Sequence, residues 1–146
     1  MGADWMGAKL ALFVGEPLVV IERDDFPGLT WPGAWDMPGG GREPGETPLG
    51  CALRETREEL SLVVPPEAVT WGRAYENSIG RVVWFFAARL PAARGEDIVL
   101  GDEGQQWAYM DASDFLSHPK AVHPFKPRLS DYLSGAPSAS FSKDLA

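Results

Sequence analysis

Five glutamates fall within one short stretch, GGGREPGETPLGCALRETREELSL at residues 39–62, and four of them, Glu46, Glu55, Glu58 and Glu59, are the residues here best suited to do chemistry. Glu46 stands in a glycine-rich segment, and Glu55, Glu58 and Glu59 follow in a run with helical spacing. At ~100° per residue those three share one flank, while Leu49, Ala52, Leu53, Thr56 and Leu60 form a separate packing stripe. Carboxylates at i, i+3 and i+4 repel one another, so the flank costs stability unless a cation compensates it. Hard oxygen donors in this number favour Mg²⁺ or Mn²⁺ over zinc, which calls for His or Cys. Mg²⁺ takes few protein carboxylates and completes its shell with water and phosphate oxygens, which points to phosphate chemistry. The competing reading is a solvated acidic face on which Arg54 and Arg57 make ordinary helical ion pairs, Arg54 with Glu58.

The elements around this stretch must hold it in place. Gly39, Gly40, Gly41 and Gly45 predict a loop that can approach a ligand closely. Thr47 followed by Pro48 predicts a capped helix running to Leu60. Ser61 ends that helix less decisively than glycine, and Pro65-Pro66 forbid continuation. Upstream, Lys9 to Val14 and Leu18 to Arg23 are β-rich and joined across Gly15-Glu16-Pro17, a hairpin pattern. Asp24 to Pro32 reads as a loop, and Ala34 to Met37 as a short strand delivering the glycines. Downstream, Val69 to Glu76 and Ile79 to Leu90 predict strands turning near Asn77-Ser78, and Gln105 to Met110 predicts another. Asp111 is placed to cap a short helix around Phe115, and Pro124 to Leu133 reads as a last helix. From Ser134 the composition turns to Ser, Ala, Gly and Pro, so a single domain over residues 1–134 and a flexible tail over 135–146 are expected. Strands around one strong helix, then more strands and a late helix, give an α+β chain, an α/β/α sandwich with a mixed sheet.

The whole chain narrows the functional classes. Its 146 residues, 45% of them hydrophobic, suit one domain with a real core. A net charge of −8 argues against an extended nucleic-acid footprint, which needs a surplus of Lys and Arg. The single cysteine, Cys51, cannot form an internal disulfide and is expected to pack as a small hydrophobe. No run approaches the ~18 apolar residues of a membrane span and no leader pattern is seen, so the expectation is a cytoplasmic protein without membrane partners.

The complete spacing of Gly40, Glu46, Arg54-Glu55, Glu58-Glu59 and Leu62 resembles the signature of the Nudix hydrolase family, G-x5-E-x7-R-E-U-x-E-E-x-G-U, with U a bulky aliphatic. Thr56 and Ser61 depart from it, standing where an aliphatic residue and a glycine are usual. The resemblance implies a Nudix fold and Mg²⁺- or Mn²⁺-dependent hydrolysis of a nucleoside diphosphate linked to another group. It assigns Glu55, Glu58 and Glu59 to metal binding, with the carbonyl of Gly39 joining them. Arg54 orients the acids, Gly40 shapes the loop, and Glu46 ties loop to helix. Glu103, in the late loop, matches the family's frequent general base and further metal-site acid; Asp102 is its substitute, and Glu58 the second choice of base.

On the substrate side, Arg23 follows the second strand, where related enzymes contact phosphate. Trp31, Trp35, Trp71, Trp84 and Trp107 offer aromatic faces of the kind on which nucleobases stack; Trp35 is taken as the substrate-binding one, with His123 and Phe125 edging a base pocket. The segment WDMPGGGREPGET resembles mutator-type members, implying an ordinary or oxidised (deoxy)nucleoside triphosphate cut to monophosphate and pyrophosphate. Glu76-Asn77-Ser78 lacks the proline of the ADP-ribose subgroup. ADP-ribose, dinucleoside polyphosphates, capped RNA 5′ ends and a non-catalytic nucleotide-binding module are the alternatives. A homodimer is compatible with the resemblance.

Overall fold

The computed structural model describes residues 4–145, and its framework is one mixed β-sheet. The elements in chain order are β1 (Trp5–Val14), β2 (Leu18–Glu22), β3 (Trp35–Asp36), β4 (Gly39–Gly41), α1 (Pro48–Leu60), β5 (Val69–Glu76), β6 (Val82–Leu90), β7 (Gln106–Met110), α2 (Ala112–Ser117) and α3 (Phe125–Leu133). The sheet runs β3-β2-β1-β6-β5, with β4 also paired to β1 and β7 to β2. β1 and β6 are parallel, and the remaining pairs are antiparallel.

Alternation along the two central strands explains the layers, because successive side chains in a strand face opposite ways. Leu10, Leu12 and Val14 of β1, with Phe86 and Ala88 of β6, pack against Leu49, Ala52, Leu53 and Leu60 of α1. Ala11 and Phe13, with Phe85 and Ala87, pack the other way against Phe115 of α2 and Phe125 and Leu129 of α3. Both faces are covered, so the fold is the expected α/β/α sandwich.

Helix α1 begins as its sequence predicts: Thr47 is the N-cap and its side chain accepts from Gly50 N at 3.0 Å. Ser61 caps the other end in the left-handed conformation, φ 57° and ψ 24°. A left-handed serine costs on the order of 1 kcal/mol relative to glycine. Its hydroxyl donates to Val99 O at 2.9 Å, which offsets part of that strain. Asp111 occupies the N-cap of α2, but its side chain makes no capping hydrogen bond.

Three expectations change. The glycines 39–41 are a short strand and not a loop, because Gly7 on β1 lets the two backbones approach and pair, Gly7 opposite Gly41 and Lys9 opposite Gly39. β1 starts at Trp5, earlier than Lys9, since its N-terminal residues pair with Val82 and Val83 of β6. The tail expected to be flexible is anchored over its described part. Trp71 Nε1 donates to Ala136 O at 2.8 Å, Ala139 N donates to Gly72 O at 2.8 Å, and the Phe141 ring meets Phe86 edge-on at 5.1 Å. Residues 1–3 and 146 of the expected domain and tail lie outside the described residues. No described helix is long and apolar enough to cross a membrane.

Candidate active site

Two acids of α1, Glu55 and Glu58, are held by one arginine. Arg54 donates from Nε to Glu46 and from Nη1 to Glu55 at 3.1 Å and to Glu58 at 3.1 Å, while Nη2 reaches Gly41 O at 2.9 Å. Glu46 in turn accepts from Glu43 N at 2.8 Å, so loop, strand and helix meet at one guanidinium. The hydrogen bond from Arg54 holds the Glu46 carboxyl below its ordinary pKa and raises that of Arg54. Gly40 lies so close to the helix that an added Cβ would stand 2.7 Å from the Glu55 carboxyl carbon. Gly39, at φ 137°, has no room for a side chain against Ala8 O and Lys9.

Glu59 is tied differently, accepting from Gly39 N at 2.8 Å. Burial is the main cause that pushes its pKa up to about 7, opposed by Lys9 and by that backbone bond. Burial also raises the pKa of Glu55, with Arg54 opposing. Cys51 is fully buried, and burial lifts its thiol to about 12, so it is the inert packing residue its sequence position suggests.

Glu55, Glu58, Glu59, Asp102 and Glu103 line one cavity of about 440 Å³. The loop bearing Asp102 and Glu103 is fastened on both sides: Gly101 N donates to Glu59 O, and Gly104 N to Asp24 Oδ2 at 3.1 Å. A second cavity, of about 240 Å³, shares Glu59 and Glu103 with the first and extends to Arg23 and Asp36. A third, of about 560 Å³, shares Arg23 and Asp36 and opens between Trp31, Trp84, Phe125 and Arg128. The acids, the cations and an aromatic pocket thus lie along one continuous depression.

Asp36 organises the middle of it and was missed in the sequence. Only 6% exposed, it pairs with Lys9 at 3.1 Å and with Arg23 at 2.9 Å. Lys9 also donates to Met37 O and to Gly39 O, each at 3.0 Å, so the carbonyl assigned to a metal by resemblance accepts an ammonium in this structure. The one available signal was position: Asp36 and Lys9 each sit at a charged point in an otherwise apolar strand.

Two substrate assignments need correction. Trp35 is not in the wall of the depression; β3 pairs it with Glu22, and its ring packs against the cluster beneath α2 and α3. The tryptophans in the wall are Trp31, held at φ 52° in the loop before β3, and Trp84 of β6. His123 is exposed and outside the wall, touching it only through Trp31, whose ring it meets at 5.3 Å. Phe125 and Arg23 do line the depression, and so does Arg128, which sequence reasoning passed over because a cation in a short amphipathic helix reads as a surface charge.

The donor set fits a hard divalent cation: the cavity acids and the Gly39 carbonyl are all oxygen donors. Among the described residues no three His, Cys, Asp or Glu side chains are already gathered into a ligand cage. In this structure these carboxylates accept instead from Arg54 and from Gly39 N.

The NUDIX domain family matches residues 8–133. The RNA pyrophosphohydrolase of Brucella anthropi is 29% identical over 128 residues, covering 76% of this chain and 72% of that protein. Among solved structures, a C. elegans Ap4A hydrolase superimposes with a TM-score of 0.66 at 22% identity, covering 88% of this chain and 98% of that one. The MutT protein of Methanosarcina mazei superimposes with a TM-score of 0.71 at 17% identity, covering 92% and 96%. These structural likenesses carry the fold. The match over residues 8–133 carries the family, whose enzymes generally use divalent metals, and the chain belongs to it as a Nudix hydrolase of nucleoside diphosphate-linked compounds.

Proposed function

We propose that this enzyme uses Mg²⁺ or Mn²⁺ to hydrolyse an ordinary or oxidised (deoxy)nucleoside triphosphate to its monophosphate and pyrophosphate. The observation that carries this reading is the order of groups along the depression. An aromatic pocket large enough for a base, with Lys9 and Arg23 in its wall, is followed by a cleft shared by Arg23, Asp36, Glu59 and Glu103 and then by the acids of α1. A base, a phosphate chain and the scissile anhydride fit that order.

Glu55, Glu58, Glu59 and Glu103, with the Gly39 carbonyl, are the residues that would hold the metal. When bound, a divalent cation supplies Lewis acidity at a phosphoryl oxygen and a lowered pKa for a coordinated water. Arg23 and Lys9, fixed by Asp36, neutralise phosphate charge at the mouth of the acid cavity. Arg54 keeps Glu55 and Glu58 aimed into that cavity. Glu103 stands on an exposed loop facing the α1 acids and takes the proton from the attacking water, with Asp102 or Glu58 as the substitute.

The name of the Brucella relative supports pyrophosphate release and adds one competing substrate, a triphosphorylated RNA 5′ end. The net charge of −8 favours a single nucleotide over a polyanion. The test is a panel of nucleoside triphosphates, 8-oxo-dGTP, ADP-ribose, Ap4A and a 5′-triphosphorylated oligoribonucleotide, with Mg²⁺ or Mn²⁺ and products resolved by chromatography. Pyrophosphate and a nucleoside monophosphate are expected from at least one triphosphate. Turnover confined to Ap4A, ADP-ribose or RNA would overturn the assignment, and so would an inactive but folded, metal-loaded protein.

A further inference from the structure

Arg128 is a cation that the proposed hydrolysis leaves without a task. It is 8% exposed, on the buried face of α3, and its guanidinium lies over the rings of Tyr75 at 5.2 Å and Phe125 at 5.8 Å. Among the described residues no hydrogen-bond acceptor or carboxylate meets it. The neighbouring Asp131 accepts from the Tyr75 hydroxyl at 2.9 Å and lies 3.8 Å from Arg73 instead. The unpartnered guanidinium nitrogens of Arg128 keep contact with solvent, and partial burial of the group lowers its pKa. Its open side faces the 560 Å³ pocket.

The chemistry of that wall selects what Arg128 meets. Trp31, Trp84 and Phe125 supply apolar faces suited to a flat ring, and the carboxylate of Glu76 stands in the same wall, unfavourable to a second phosphate. Lys9 and Arg23, at the end nearer the acids, already serve the phosphate chain. Arginine presents parallel N–H donors in a rigid plane, so its match on an uncharged ring is a pair of adjacent acceptors.

We infer that Arg128 determines base specificity: its fork binds an acceptor pair on the nucleobase, as guanine offers with O6 and N7 or cytosine with O2 and N3, and rejects adenine. Adenine places its N6 amine beside N7, which sets a donor against a donor. This rests on the nucleotide reading above and names the class of base that the same site takes.

The test is calorimetric binding of guanosine, cytidine and adenosine to the full chain, without metal, for the wild type, Arg128→Met and Arg128→Lys. Guanosine or cytidine is expected to bind about tenfold or more tighter than adenosine, within the range a bidentate pair provides. Arg128→Met should reduce that preference to adenosine's level. Arg128→Lys keeps a cation over the rings without the planar fork; it should lose the preference too, and it serves if the methionine variant does not fold. Equal binding of all three nucleosides by the wild type would overturn the inference. So would an equal loss for all three in both variants, or a loss seen with triphosphates and absent with nucleosides. Nucleoside binding needs no catalysis, so selective binding by an inactive enzyme sinks the hydrolytic reading alone, and hydrolysis without base preference sinks this one alone.

Discussion

Glu59→Gln is expected to lower turnover by about 10³-fold at saturating Mg²⁺, with Glu58→Gln close behind, because each removes a negative donor from the proposed metal site. Lewis-acid stabilisation is worth several kcal/mol, and each ~1.4 kcal/mol is tenfold in rate. Glu59→Gln carries a second, opposite effect on stability. The Glu59 carboxyl has a pKa of about 7 in the folded chain, raised from 4.5 chiefly by burial. A raised carboxyl favours the folded state when protonated, so without metal this group destabilises the fold progressively as pH climbs from about 4.5 to about 7, and by a constant amount above that. Glutamine keeps the acceptor for Gly39 N without the charge. At pH 8 in chelator, Glu59→Gln should therefore be more stable than wild type by about 1–3 kcal/mol, a gain that vanishes below about pH 4.5. Thermal melts across pH, with and without Mn²⁺, check this. Wild-type turnover in Glu59→Gln, or no melting shift at pH 8, would sink the assignment.

Removing the hub should cost the fold itself. Arg54→Ala is expected to destabilise the protein by about 3 kcal/mol, since it leaves several carboxylates facing one another without their cation. The Arg54 side chain is 18% exposed and Glu46 16%, so water screens this cluster only partly. Arg54→Lys should recover less than half of the loss, because an ammonium cannot span Glu46, Glu55, Glu58 and Gly41 O together. Urea denaturation measures both variants. A loss under ~1 kcal/mol in Arg54→Ala would mean that the cluster is a solvated face after all.

What was legible in the sequence is what local chemistry dictates. Thr47-Pro48 starts α1, Pro65-Pro66 lie beyond its end, and the i, i+3, i+4 acids lie on one flank whatever the rest of the chain does. The contacts of Asp36 were hidden because Lys9 reaches it from β1 and Arg23 from the loop after β2, and no local pattern encodes that meeting. Trp35 was selected over Trp31 among the tryptophans for a related reason. A left-handed turn at Trp31 decides which indole faces the depression, and nothing in the residues nearby announces that turn. Arg128 was invisible because its burial depends on Tyr75, distant in sequence and close in space. In the tail, small and polar residues argued for fraying. One aromatic, Phe141, reverses that by docking where Gly72 leaves space beside Phe86.

That docking has a consequence for how the molecule meets other chains. β5 is the last strand of the sheet, and an exposed last strand is a template on which a foreign strand can grow. Here Ser138 Oγ accepts from Gly72 N and Ala139 N donates to Gly72 O, so residues 138 and 139 occupy part of that rim. The protein thus covers part of its sheet border with its own chain, on a strand that supplies none of the acids lining the 440 Å³ cavity, and guards that stretch against fibre-like stacking.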